Sequence, residues 1–135
     1  MTFEEAIATQ PAWVQYWVNA MGLVILVSFV AMLFSARTRR DALVVFVAMA
    51  ATFGCMMLLY QQVGYVRLLG IVHIVFWTPL ALYLWHRLKD TSITAPFRQV
   101  IWLLLAVMVV SLAFDYADVA RYLAGERASL IPSPA

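Results

Sequence analysis

Few residues in this chain carry chemistry, and most of them sit where an apolar sequence makes them conspicuous. Arg67 stands at the mouth of an apolar run, His73 lies six residues deeper, and Thr78-Pro79 interrupts the middle. Asp115 and Asp118 close a second apolar run, while Gln15 and Asn19 sit one helical turn apart near the start of a third. In a hydrocarbon-compatible segment, a charge or imidazole is costly unless it is paired or lines a polar cavity. Arg67 therefore calls for a carboxylate, and Asp115 or Asp118 can supply it, with Asp115, the deeper of the two, favoured. Asp118 and Arg121 can also pair at i, i+3 on their own helix.

The same residues admit three kinds of chemistry. The first is an ion-pair clasp that fixes helix register. The second is a ring of carboxylates selecting cations at the outer mouth of a symmetric oligomer. The third is a proton relay between His73 and Asp115. Because four short helices enclose little space, the ring is expected to require several copies.

No cofactor or metal is expected. Met49, Cys55, Met56 and Met57 are soft ligands in type, but Met habitually fills irregular gaps, and packing explains them better. His73 and His86 are thirteen residues apart, which at about 100° per residue leaves the rings some 140° out of line for stacked haems. His73 is instead expected to face Asn19 or Thr78. No nucleophile, acid–base pair or ligand cluster converges, so the chain is not expected to be an enzyme. The single cysteine excludes an intramolecular disulfide.

The elements that position these residues follow from composition. Of 135 residues, 65% are hydrophobic and 12% charged, far from the roughly 25% charged residues of soluble domains. A net charge of +2, with its basic residues confined to short loops, gives no footprint for nucleic acid. The reading is an all-α, polytopic membrane protein: four transmembrane helices in an antiparallel bundle after a short interfacial N-terminal helix. Residues 1–12 form the interfacial segment, 13–124 the transmembrane domain and 125–135 a flexible tail. The spans are 13–34, 41–60, 66–86 and 97–120, each near the roughly 20 residues that cross a hydrocarbon core. The N-terminus lacks the basic region of a signal peptide, so the first span is expected to be retained.

Within this frame Gln15, Asn19 and Gly22 share one stripe, expected to face protein. Ala50 with Gly54, Ala51 with Cys55, and Ala113, Ala117, Ala120 and Ala124 give small-residue faces for close helix approach. Asp41 is placed to cap the second span, and residues 61–64 to make its turn. Pro79 should kink the third span near Val75, with Thr78 partly satisfying the freed carbonyl. The fourth span should start at Thr94-Ala-Pro96.

Arg37, Arg39 and Arg40 lie in one loop, and Arg87, Lys89 and Arg98 in another on the same side. The positive-inside rule then places those loops in the cytoplasm and both termini outside, in a bacterial inner membrane. Asn19 and His73 fall about 9 Å inside the outer boundary, and Asp115 about one turn below it. The functional expectation is a homo-oligomeric, channel-like or transport protein for a small cation, with an outer acidic mouth. The alternative is a non-catalytic accessory or assembly subunit of a larger membrane complex. The expected partners are lipid and either further copies or other membrane helices.

Overall fold

The computed structural model describes residues 1–131. Helix accounts for 79% of the described residues, which contain no strand. Four helices are long and apolar enough to cross a membrane: α2 (Ala12–Leu33), α3 (Arg39–Val63), α4 (Gly70–Arg87), preceded by a 3₁₀ turn Arg67–Leu69, and α5 (Ala95–Leu123). A short α1 (Phe3–Ala8) precedes them. The helices pack in cyclic order, α2 on α3, α3 on α4, α4 on α5 and α5 back on α2.

Local chemistry sets the ends. Thr2 and Glu5 form a reciprocal capping box on α1, satisfying two first-turn donors at once. Pro11 then separates α1 from α2. The α5 start matches Thr94-Ala-Pro96: Thr94 takes the N-cap position and Pro96 sits in the first turn, where its missing N–H is no loss. The expected turn at residues 61–64 is instead mostly helix, because α3 runs on to Val63 and Gly64 ends it at φ +76°. Without a Cβ, glycine takes that left-handed conformation with little strain. The connection to α4 is thereby cut to Gly64–Val66, and Arg67 lies in the 3₁₀ turn, outside the α-helix proper.

Only 11% of the apolar stretch of α2 is buried, rising to 33% in α4 and α5. Leu23, Leu26, Phe46, Phe53, Leu82 and Leu103 are all more than half exposed. Helices that are apolar all round have no polar face to offer water, so these outer surfaces suit hydrocarbon. The small-residue faces lie outside too: Ala50, Gly54, Cys55, Ala113, Ala117, Ala120 and Ala124 are exposed, and a Cβ on Gly54 would meet nothing within 4 Å. Close approach inside the chain is made instead at Gly70. A Cβ there would come within 3.0 Å of Asp115 Oδ1 and 3.2 Å of Asp115 Cα.

The interior divides into two halves. Met32, Val45, Leu84, Ile101, Leu104 and Met108 form a closed core, each at most 1% exposed. Trp77 borders it. On the other side of Trp77 the helices leave a chamber of about 700 Å³ that is open to the outside.

Candidate functional site

The chamber is bounded by all four long helices, with Phe3 and Ile7 of α1 also on its wall. Its surface is largely apolar: Trp17 and Met21 from α2, Met49 and Met56 from α3, and Phe114 from α5. Trp77 and Ser111 mark the deep end, and Arg67, Asp118 and Arg121 the end near α1. Clefts lined mainly by apolar and aromatic groups with a few convergent polar ones are the usual form of a small-molecule site.

Arg67 meets Asp118, not the favoured Asp115: Arg67 Nη1 donates to Asp118 Oδ1 at 2.7 Å. The reason is its position in the 3₁₀ turn, before α4 begins, level with the more distal aspartate. Glu126 adds a second carboxylate, 3.5 Å from Arg67 Nε. Glu126 also takes Arg121 Nε at 2.7 Å, so Arg121 pairs forward with Glu126, not back with Asp118. Beside this cluster, burial first and then the Asp118 charge push the Tyr65 phenol up from its ordinary value. It therefore stays protonated.

Asp115 lies one turn deeper with no guanidinium partner. Its Oδ2 is 3.4 Å from His73 Nδ1, and the two side chains are 17% and 21% exposed. That separation is not closed as a hydrogen bond: among the described residues His73 Nδ1 is buried without a partner, and so is Trp77 Nε1. The rings of His73 and Trp77 stand edge to face, centroids 4.5 Å apart. Both residues line the chamber, as i and i+4 neighbours on one face of α4 should. A buried donor left unsatisfied costs about 1–3 kcal/mol, so two orphaned nitrogens on one wall favour a polar occupant beside them.

The remaining candidates lie elsewhere. Gln15 Nε2 donates to the carbonyls of Ala8 and Gln10, at 3.1 and 2.8 Å, and ties α1 to α2. Asn19 and Gly22 are exposed, so their stripe faces out of the bundle and His73 faces Trp77 and Asp115 instead of Asn19. Thr78 Oγ is 2.9 Å from the Tyr116 hydroxyl, joining α4 to α5 instead of satisfying its own helix. α4 runs unbroken through Pro79, which is exposed. In the tail, Leu130 N donates to Tyr65 O at 2.8 Å and Leu130 O accepts from Gln10 Nε2 at 3.2 Å. Residues 132–135 of that segment lie outside the described residues.

Two arrangements were not foreseen. Trp17 Nε1 donates to Ser111 Oγ at 3.2 Å, and Ser111 Oγ approaches Met21 Sδ at 3.0 Å, clasping α2 to α5. The second is at the far end, where Asp41 does not cap α3. Thr38 holds the N-cap position, and Asp41, 1% exposed, is salt-bridged to Arg87 at 2.9 Å. It also accepts from the Tyr83 hydroxyl at 2.5 Å. The available signal was the only acidic residue in an arginine-rich loop. Among the described residues, no group of three or more His, Cys, Asp or Glu is placed to hold a metal ion.

The chain thus combines a membrane-compatible helical bundle with a largely apolar chamber that carries a few polar groups, and no family model, curated protein or solved structure matches it.

Proposed function

We propose that this is a small integral membrane protein that transports a small cation, with the chamber as the place the ion occupies. The observation that carries this reading is the pairing of Asp115 with His73. Asp115 is the chamber carboxylate without a guanidinium, and it lies 3.4 Å from an imidazole with an unused nitrogen. A carboxylate beside an imidazole can receive a cation or a proton in turn, since histidine as a class changes charge near neutral pH. Asp118 is less suited, because Arg67 already neutralises it. The closed core of Met32, Val45, Leu84 and Leu104 blocks a continuous pore, so the reading favours a carrier that must part that layer over a standing channel.

In this proposal the four helices run antiparallel in a bacterial inner membrane. The loops bearing Arg37 and Lys89 face the cytoplasm, and both termini and the acidic mouth face outside. Flux of sodium or potassium into liposomes, driven by a proton gradient, tests it. The purified protein should support flux, and Asp115→Asn should abolish it while keeping its helical spectrum. Flux unchanged in Asp115→Asn would overturn the proposal.

The exposed small-residue faces on α3 and α5 favour a second reading, an accessory subunit that docks on partner helices through them. Mass measurement in mild detergent separates the two. A defined homo-oligomer that also supports flux fits transport, whereas an inert monomer fits the accessory subunit.

A further inference from the structure

A second cavity, of about 410 Å³, lies at the end of the bundle remote from the chamber. Ala36, Arg37, Arg40, Asp41, Tyr83 and Arg87 line it, which makes three guanidiniums against one carboxylate. Each of the three guanidinium nitrogens of Arg87 is engaged. Its Nε donates to both Asp41 oxygens at 2.9 and 3.1 Å, Nη1 to Asp90 Oδ2 at 3.2 Å, and Nη2 to the Arg37 carbonyl at 3.1 Å. The Tyr83 hydroxyl donates to Asp41 as well. Together these bonds fix the floor of the cavity and hold the α2–α3 loop over it.

The guanidiniums of Arg37 and Arg40 differ. Both side chains are exposed, and within the described residues neither guanidinium is bonded to a carboxylate or a carbonyl. They stand beside the first turn of α3, whose N-cap Thr38 donates its hydroxyl to Met32 O at 2.7 Å and leaves the α3 amides without a side-chain acceptor. Two free forks and a positive helix end converge on a pocket whose own negative charge is already neutralised.

The surroundings identify the anion. Leu33 and Phe34, just before the cavity, are 39% and 79% exposed, at the end of an apolar span. Trp85, two residues before Arg87, packs edge to face on Trp102 of α5, centroids 5.6 Å apart, with both rings about half exposed. Tryptophans of this kind gather at headgroup depth. A phosphate held between Arg37 and Arg40 would therefore lie at the membrane surface with apolar side chains below it.

We propose that this pocket binds the headgroup phosphate of an anionic phospholipid, with Arg37 and Arg40 as its grip and the Asp41–Arg87–Tyr83 network as its rigid floor. Arginine suits the task because its planar fork matches phosphate oxygens in pairs, and basic pockets between membrane helices take anionic headgroups in general.

The test is native mass spectrometry of the full chain in mild detergent, after delipidation, with phosphatidylglycerol or phosphatidylcholine added. Phosphatidylglycerol should be retained and phosphatidylcholine should not. The double variant Arg37→Gln/Arg40→Gln should weaken that retention about thirtyfold. Arg37→Lys/Arg40→Lys should restore part of it, and millimolar inorganic phosphate should not displace the lipid. Because both side chains are exposed, the glutamine variant should keep the wild-type melting temperature, and a matched melting curve confirms that a loss of lipid is not a loss of fold. If that variant melts early, the lysine variant and the lipid comparison in wild type decide. Equal retention of the two lipids, or phosphatidylglycerol held undiminished by a folded glutamine variant, would overturn the proposal. Displacement by inorganic phosphate would overturn it in favour of a free-anion site.

Discussion

The two ends of the bundle each hold an arginine against an aspartate, and they use the pair differently. At one end Asp41 is 1% exposed, and Arg87 reaches it with Nε while spending its other nitrogens on Asp90 and the Arg37 carbonyl. At the other, Arg67 and Asp118 are 22% and 36% exposed and share their charge with Glu126. The first pair adjoins a closed core, and the second opens on a chamber with unpaired nitrogens on its wall. A charge in a closed environment depends almost entirely on its partner, whereas one that water can reach keeps much of its solvation when the partner is removed. A buried carboxylate matched to its partners marks the pair that holds the fold, and unpartnered nitrogens beside the second pair mark the chamber as having room for an occupant.

The largest effect should come from Arg87→Gln, which strands the Asp41 carboxylate. A loss of about 3–5 kcal/mol in unfolding free energy is expected. Arg87→Leu/Asp41→Leu should lose much less than the two single changes combined, since removing both leaves no buried charge. Additive losses would break the contrast between the two ends.

Gly70→Ala should come next. The added Cβ meets backbone as well as side chain at Asp115, so α4 and α5 must move apart, at about 1–3 kcal/mol. Thermal unfolding measures the loss. A neutral result would mean that the helices yield at the chamber more readily than their contact suggests.

Arg67→Gln and Asp118→Asn should each cost no more than about 1 kcal/mol, with a coupling well below that of Arg87 with Asp41. A double-mutant cycle on unfolding free energy in detergent gives both couplings on one scale. Equal couplings would erase the distinction drawn between the ends.

The smallest effect concerns Asp90 in the α4–α5 loop. Hydrogen bonds from the Ser92 hydroxyl and backbone N–H, followed by the Arg87 charge, hold its carboxyl below the usual value. A carboxyl lowered in the fold adds stability that is present above its unfolded value and is lost as pH falls through its folded one. Protection of the Ser92 amide from hydrogen exchange should accordingly persist at neutral pH and fade below about pH 4. Asp90→Ala should remove it at every pH. Protection that ignores pH would assign the loop's order to Arg98, which donates to the Leu88 and Asp90 carbonyls.

Much of the architecture was legible because it depends on local sums. Twenty or so apolar residues in a row determine a helix that can cross a membrane whatever surrounds it. Thr94-Ala-Pro96 likewise marks a helix start through local geometry alone. Facing was not legible in this way. Helices apolar on all sides carry little amphipathic signal, so the stripe containing Asn19 and Gly22 was read as facing protein although the chain turns it out.

The sequence by itself determined which charges needed partners, since an isolated charge among apolar residues is costly wherever it lands. Which partner each one found was decided by tertiary structure. Stopping α3 at Gly64 and starting α4 at Gly70 set the level of Arg67, and a one-turn difference in level selected Asp118 over Asp115. Asp115 was thereby left to His73, and Asp41 was drawn from a cap position to Arg87 on α4, forty-six residues along the chain. Pairing reaches only a few ångströms, and the offsets between packed helices that set those distances are properties of the assembled bundle, not of any one segment.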